Sequence, residues 1–550
     1  MVKKHLIFVI FLSLILSGCS TEQFTTDNKN PANEIILTMY SEDLKKEDEA
    51  FSSPVAKAIT KATGVKLDIQ HPVEGVAKKI ELMVASDDYP DLIMVKDTYK
   101  MVEAGAYIDL TNLINEHAPN LRIIYEDYFN RLKFSAENSA IYVLPTRPVN
   151  QRKWEPTMSF ALQHAVVKEL GYPIIETLDD FEQAIRQYKE KFPLINGEPS
   201  LGISMVIDDW RWKISLGNAA GFATGAPDDG NWFINPNTLE AKYRFLRTEE
   251  KAYYKWLNQM YHEGLVDPDS FVQNYDAYLA KIASGRVLGL IDAKWQYDYA
   301  QNQLRAKGME ERMYGQYPVQ VDASTKAADF RDVGYIAGYG IGISRDCKNP
   351  VEAIKFLDFM ASHEGHVLRM WGIEDVNFKY DENGKRFIPD DEMEKRLNDE
   401  AYSEETGVGV YTYPYPIWGD GKKDKQGNFY NPENEEDVKK QYSDDERSAL
   451  KAYGVENWSD LYPSAEELPV SVWGEAWDIQ IPINSPIRSQ LNACDAIIKQ
   501  GLIQVTISQP EDFDQLWDDL MNELDKAGVH QMGKLFTQLV KERVSLWQQQ

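Results

Sequence analysis

Four consecutive segments near the amino end constrain this chain more than any other feature. Ile35-Ile36-Leu37-Thr38-Met39-Tyr40 is almost continuously apolar, and Phe51 to Thr63 repeats at helical spacing. Val65-Lys66-Leu67-Asp68-Ile69 alternates, and Asp91-Leu92-Ile93-Met94-Val95 is apolar again. A short continuous apolar run suits a strand buried on both faces, which requires a parallel sheet covered by helices. Strand, helix, strand in that order is the βαβ signature of an α/β fold. With 550 residues the chain is long enough for two or more packed domains.

Later helix starts are also marked. Thr177 with Asp180 approximates a capping box ahead of Phe181, Ala184, Ile185 and Tyr188. Asn349-Pro350-Val351-Glu352 places a cap and a first-turn proline before Ile354, Leu357 and Met360. Pro510 opens a helix whose Phe513, Leu516, Trp517, Leu520 and Leu524 share one face. Tyr335 to Ser344 alternates with glycines and reads as a strand. Residues 380–465 are rich in charge, Asn and Gly, and read as a surface insertion of loops and short helices.

The first residues form an export leader. Lys3 and Lys4 precede an apolar run from Leu6 to Leu16 broken only by Ser13, and Ser17-Gly18-Cys19 follows. The run is about eleven residues against the roughly 20 that a membrane-spanning helix needs. Leu16-Ser17-Gly18-Cys19 resembles a bacterial lipobox, which implies cleavage before Cys19 and lipidation of its thiol. Residues 1–18 are then a signal peptide, and 19–33 a lipid-anchored flexible spacer.

Acidic residues outnumber basic ones 87 to 59, for a net charge of −28. So negative a surface repels phosphate backbones and anionic headgroups, which argues against nucleic acid and against membrane contact other than through the lipid. It also disfavours a polyanionic substrate, although a local basic pocket could override the average, and Arg152, Lys153 and Arg211 leave uronic acids open. Of the 3 cysteines, Cys347 and Cys494 remain after Cys19; buried thiols are favoured over a disulfide.

The 13 tryptophans and 30 tyrosines carry the functional reading. Many tryptophans sit beside polar or turn residues, as in Asp208-Asp209-Trp210-Arg211-Trp212, Asp229-Gly230-Asn231-Trp232 and Trp473-Gly474-Glu475-Ala476-Trp477. An indole offers a flat apolar plate to the C–H face of a sugar, and neighbouring Asp, Asn and Arg can bind its hydroxyls. Candidate plates on this argument are Trp154, Trp210, Trp212, Trp232 and Trp418. His363-Glu364-Gly365-His366 is one residue short of the zinc-binding His-Glu-x-x-His spacing, and no Gly-x-Ser-x-Gly elbow or phosphate loop is present. Asp208, Asp209 and Glu475 could supply a glycosidase pair, though nothing marks them out. No metal and no cofactor is expected.

In its motifs the chain resembles family-1 extracellular solute-binding lipoproteins, the ligand-capturing subunits of carbohydrate ABC importers, in their large Gram-positive form. Ala85-Ser86-Asp87-Asp88-Tyr89-Pro90-Asp91-Leu92-Ile93 is similar to the family's Ala-Ser-Gly-Asp-x-Pro-Asp-Ile-Ile. Gly105 to Ile114, His262-Glu263-Gly264-Leu265-Val266-Asp267-Pro268 and Trp371-Gly372-Ile373-Glu374-Asp375-Val376 match later landmarks in the same order.

The resemblance implies an α/β, two-lobe, type II periplasmic-binding-protein-like fold with hinge crossovers near Pro145–Met158 and Asp332–Gly338. The first lobe would span 34–148 plus 333–372, and the second 149–332 plus 373–550. It further implies a monomeric, lipid-anchored protein on the outer face of the cell membrane. That protein captures an oligosaccharide and delivers it to ABC permease subunits by lobe closure, without catalysis. A surface glycoside hydrolase or a polysaccharide adhesin are the alternative readings. Trp295, after Gly289-Leu290-Ile291-Asp292, resembles the family's cleft tryptophan, and Tyr335 and Trp473 are carried over in the same way. Phe192 to Glu198 departs from the relatives' calcium loop, having too few spaced carboxylates. Asp375 stands where the family has glycine, which puts a tight turn there in question.

Overall fold

The structure is a computed structural model that describes residues 34–43, 51–70, 76–149, 151, 153–399, 401–432 and 435–548. The leader, Cys19 and the spacer lie outside the described residues. Two sheets organise the chain, built in chain order from β1 (Ile35–Ser41), β2 (Val65–Gln70), β3 (Leu92–Val95), β4 (Leu144–Pro145), β5 (Met158–Gln163), β6 (Leu201–Ile203), β7 (Val287–Ala293), β8 (Tyr314–Tyr317) and β9 (Gly340–Ile343). The first sheet has the order β2-β1-β3-β9-β4 and the second β8-β5-β7-β6. β1 runs parallel to β2 and β3, while β9 enters antiparallel between β3 and β4. The chain therefore leaves the first lobe after β4, builds the second, and returns through β9.

The apolar runs are buried as their pattern requires. Successive side chains point to opposite faces of a strand. Leu37 and Met39 accordingly join Leu92, Met94, Ile341 and Ile343 in one core layer, while Tyr40, Ile93 and Val95 enter another. In the second lobe, Phe160 and Leu162 of β5 pack with Phe181 and Ile185. Ala161 faces the other way, toward Leu290, Tyr278 and Tyr297. Thr177 caps Leu178–Lys191 with the full reciprocal box to Asp180. Pro510–Asp512 forms a 3₁₀ turn, and Phe513–Lys526 then buries Phe513, Trp517, Leu520 and Leu524.

Three expectations are corrected. The helix Pro350–Ala361 starts at its proline, but Asn349 makes no side-chain cap. Only Gly340–Ile343 of the alternating stretch pairs as a strand. Its preceding half crosses between the lobes, where a Cβ on Gly338 would lie 2.0 Å from the Asp478 carboxylate. The third correction concerns the insertion, which does not belong to the second lobe as a whole. Tyr402, Val408, Val410, Tyr411, Tyr415 and Trp418 pack into the first lobe's core, and Tyr442, Ala449, Leu450 and Trp458 into the second's.

Two departures from the family motifs resolve locally. Asp375 holds the turn itself at φ 62°, a left-handed conformation that Asp tolerates better than most residues. Leu194–Ile195 and Glu198–Pro199 form a small hairpin across Asn196 and Gly197, both at positive φ. Cys347 and Cys494 are free and buried, one in each lobe's core.

Candidate functional site

Strand direction decides which residues meet between the lobes. β1, β3 and β4 all end at the edge where β9 begins, so Asp43, Lys96, Arg147 and Tyr339 emerge together. In the second sheet β6 and β7 end where β5 begins, which brings out Trp210, Trp295 and Trp154. The crossovers from β4 to β5 and from β8 to β9 join these two edges. Ligands of open α/β sheets bind at such carboxyl ends.

At one part of this cleft, charge and aromatic groups from several segments converge. Lys96 Nζ lies 2.8 Å from Asp43, and Arg147 Nη2 donates to Glu475 at 2.9 Å. The Arg147 guanidinium also lies 4.7 Å from the centroid of Trp477, whose ring is 6.1 Å from that of Tyr339. Burial pushes the Asp228 and Asp478 carboxyls up to about 6, with Glu475 raising both further and Arg147 pulling both back.

The second part is built on indoles. Trp210 and Trp295 are 52% and 55% exposed and stack on each other at 6.0 Å and 17°. Arg211 holds this pair in place, its guanidinium 5.0 Å from the Trp210 ring and 3.9 Å from that of Tyr275. Beside them opens a cavity of about 470 Å³ whose lining includes Trp154, Trp295, Lys294, Asp298 and Asp420. Burial costs the Lys294 ammonium solvation, but the ion pair to Glu155 outweighs it and raises the pKa.

Trp154, Trp210 and Trp295 thus face the cleft, and the other candidate plates do not. Trp232 is buried face to face on Phe536, at 3.9 Å and 4°. Trp212 is buried in the same core. Trp473 is fully buried, and its Nε1 donates to Asp229 at 3.0 Å. Trp418 stacks on Tyr430 in the first lobe's core, and Tyr335 packs against Tyr125 and Tyr128. Polar neighbours in sequence are buried along with some of these rings, as Asp229 and Asn231 are beside Trp232. Asp209 is held by Arg211 and Glu475 by Arg147, so neither stands free as a glycosidase acid. His366 is buried against Asn431 at 2.8 Å.

Arg147, Tyr339 and Trp477 were not singled out as site residues in the sequence. A signal existed for Arg147, which follows Pro145 at the start of the first crossover. Tyr339 lies inside the stretch read as strand, and Trp477 within a motif whose other tryptophan was chosen.

A family model described as bacterial extracellular solute-binding protein matches residues 42–367. Lipoprotein LipO of Bacillus subtilis (strain 168) is 24% identical over 382 residues, 67% of this chain and 72% of its own length. The fructooligosaccharide ABC transporter substrate-binding protein FusA of Streptococcus pneumoniae serotype 4 (strain ATCC BAA-334 / TIGR4) is 24% identical over 252 residues, 41% of this chain and 44% of its own. Among solved structures, alginate-binding protein AlgQ2 without calcium ion superimposes with a TM-score of 0.64 at 18% identity. That match covers 93% of this chain and 98% of that one, and it carries the two-lobe fold.

Proposed function

The chain belongs to the bacterial extracellular solute-binding protein family, and from that premise we propose that it captures an oligosaccharide between its lobes and presents it to an ABC permease. The observation that carries the sugar assignment is the exposed pair Trp210 and Trp295 beside the cavity that the first crossover, the second lobe and the insertion enclose. Two large apolar rings held in water by Arg211 have no packing role that explains them, and they match the C–H face of a pyranose or furanose. FusA, named for fructooligosaccharides, supports the same class. Trp154, Trp295 and Trp210 are the plates, and Arg147, Tyr339 and Trp477 form a second contact region. The protein binds and releases; it is not an enzyme.

Affinity comes from burying the ligand's apolar faces, and selectivity from the polar groups beside them. Closure of the lobes around the crossovers traps the ligand. Lipidation of Cys19 and the spacer behind it would hold this trap at the outer face of the membrane, within reach of the permease.

A thermal-shift screen of residues 20–550 against oligosaccharides and peptides tests the reading. A stabilising sugar raises the melting temperature by mass action, without release of shorter products. A shift with peptides and none with any sugar refutes it. Loss of uptake in a Cys19→Ala strain, with binding intact, tests the tether.

A further inference from the structure

Resting on the oligosaccharide reading, we infer that the cavity beside Trp154 and Trp295 is a subsite for an uncharged sugar residue. In it Asp298 accepts a ligand hydroxyl and excludes uronic acids and other carboxylated sugars. The names of the relatives do not settle this class: alginate is a polyuronate, and fructooligosaccharides are neutral. It has to come from the residues of this chain.

Of the three cations described around the cavity, one is paired with a carboxylate and two bond to carbonyls, with Arg305 Nε left without a partner among the described residues. Lys294 is ion-paired with Glu155. Lys153 Nζ donates to the Asp329 carbonyl at 2.7 Å, and Arg305 Nη2 to the Gln441 carbonyl at 3.2 Å. Against these three stand four carboxylates in the wall: Glu155, Asp298, Asp420 and Glu446. Asp420 accepts from Gln151 and Asn431, and Glu446 accepts from the Ser443 and Trp458 N–H groups. Asp298 alone of the four makes no hydrogen bond among the described residues, though Lys294 and Arg305 act on it through space. It lines the cavity together with two indoles, Trp154 and Trp295. A neutral sugar hydroxyl donates to such an acceptor. A uronate placed there would instead meet that carboxylate, in a wall where four carboxylates outnumber three cations among the described residues.

The test is a thermal-shift and calorimetric panel on residues 20–550. One arm holds neutral malto-, cello-, xylo-, galacto- and fructo-oligosaccharides, and the other oligogalacturonates, oligoalginates and glucuronoxylan fragments. Binding confined to the neutral arm is the expected result. Tighter binding of any acidic oligosaccharide than of every neutral one overturns this inference and leaves the carbohydrate reading standing. Silence in both arms overturns that reading and this inference together. For the best neutral ligand, Asp298→Asn is expected to weaken binding about fivefold or more. The same variant should narrow the gap between acidic and neutral ligands, which a purely structural role would not do. Unchanged affinity and an unchanged gap remove Asp298 from the site.

Discussion

Arg488 closes a bidentate ion pair on Asp97, with Nη1 to Oδ2 at 2.6 Å and Nη2 to Oδ1 at 2.8 Å, and so ties the second lobe to the first. Asp97 caps the short helix Thr98–Glu103 that follows β3. Arg488 sits in the first turn of Pro486–Ile507, whose Cys494, Ile498 and Leu502 are buried in the other core. Three further donations, two to the Ile481 carbonyl and one to that of Pro482, fix the guanidinium plane. Beside it Thr98 N donates to Gln480 at 3.1 Å.

This pair favours the lobe arrangement seen here over a more open one. Both side chains are roughly a quarter to a third exposed, so solvent screening limits its worth to about 1 kcal/mol. Arg488→Ala is therefore expected to raise the radius of gyration of the ligand-free protein in solution scattering. It should also weaken ligand binding about three- to fivefold, because the ligand must then drive closure unaided. Identical scattering and affinity would show that the pair holds nothing.

Trp295 and Trp232 give opposite expectations from the same substitution. Trp295→Ala removes an exposed plate and should abolish most sugar affinity while moving the melting temperature little. Trp232→Ala leaves a void beneath Phe536 in the second core and should cost about 3–5 kcal/mol of stability. Denaturant unfolding alongside calorimetry separates the two, and a destabilised Trp295→Ala would contradict the exposed position of that ring.

The contrast also shows what the sequence could and could not disclose. β1 to β3 and the Thr177 box were legible because their determinants are local: an apolar run, a period, a cap. Trp295 was legible through its resemblance to the family's cleft tryptophan, and it follows the end of its strand by two residues. Trp232 and Trp473 were misjudged because what covers them is distant in sequence, the last helix for one and Asp229 for the other. The division of 380–465 between lobes was illegible for the same reason, since polar loops carry no mark of which core their few tyrosines and tryptophans will enter.

Cys347 and Cys494 belong to different lobes and cannot bridge without unfolding. Burial pushes both thiols up to about 11, so little thiolate exists at neutral pH. Residues 20–550, which lack Cys19, are expected to react with a disulfide reagent only after denaturant is added, and then at both thiols. Reaction of the native protein at the rate of a free thiol would contradict the buried placement.

Asp229 sets a pH dependence. It is buried, accepts from Trp473 Nε1 and from Ala476 N at 2.7 Å through one oxygen, and leaves the other without a partner. Burial pushes its pKa up to about 7, against 3.8 when exposed; the two donors, together with Arg331, oppose the rise. The folded protein thus holds a proton that the unfolded chain releases between these values, so stability falls as pH rises toward 7. Two buried histidines act in the opposite direction. Burial depresses His164 to about 4 and lowers His366 well below its ordinary value, so each takes up a proton on unfolding below about pH 6.5. The window in which Asp229 dominates is consequently narrow and lies above the histidine range. Lowering the pH from about 7.5 to about 6.5 is expected to raise the melting temperature by roughly 1–2 °C. Asp229→Asn keeps an acceptor for Trp473 and Ala476 while removing the titration, and should flatten the rise in that window. A variant that follows the same pH curve as the parent would assign the proton to another group.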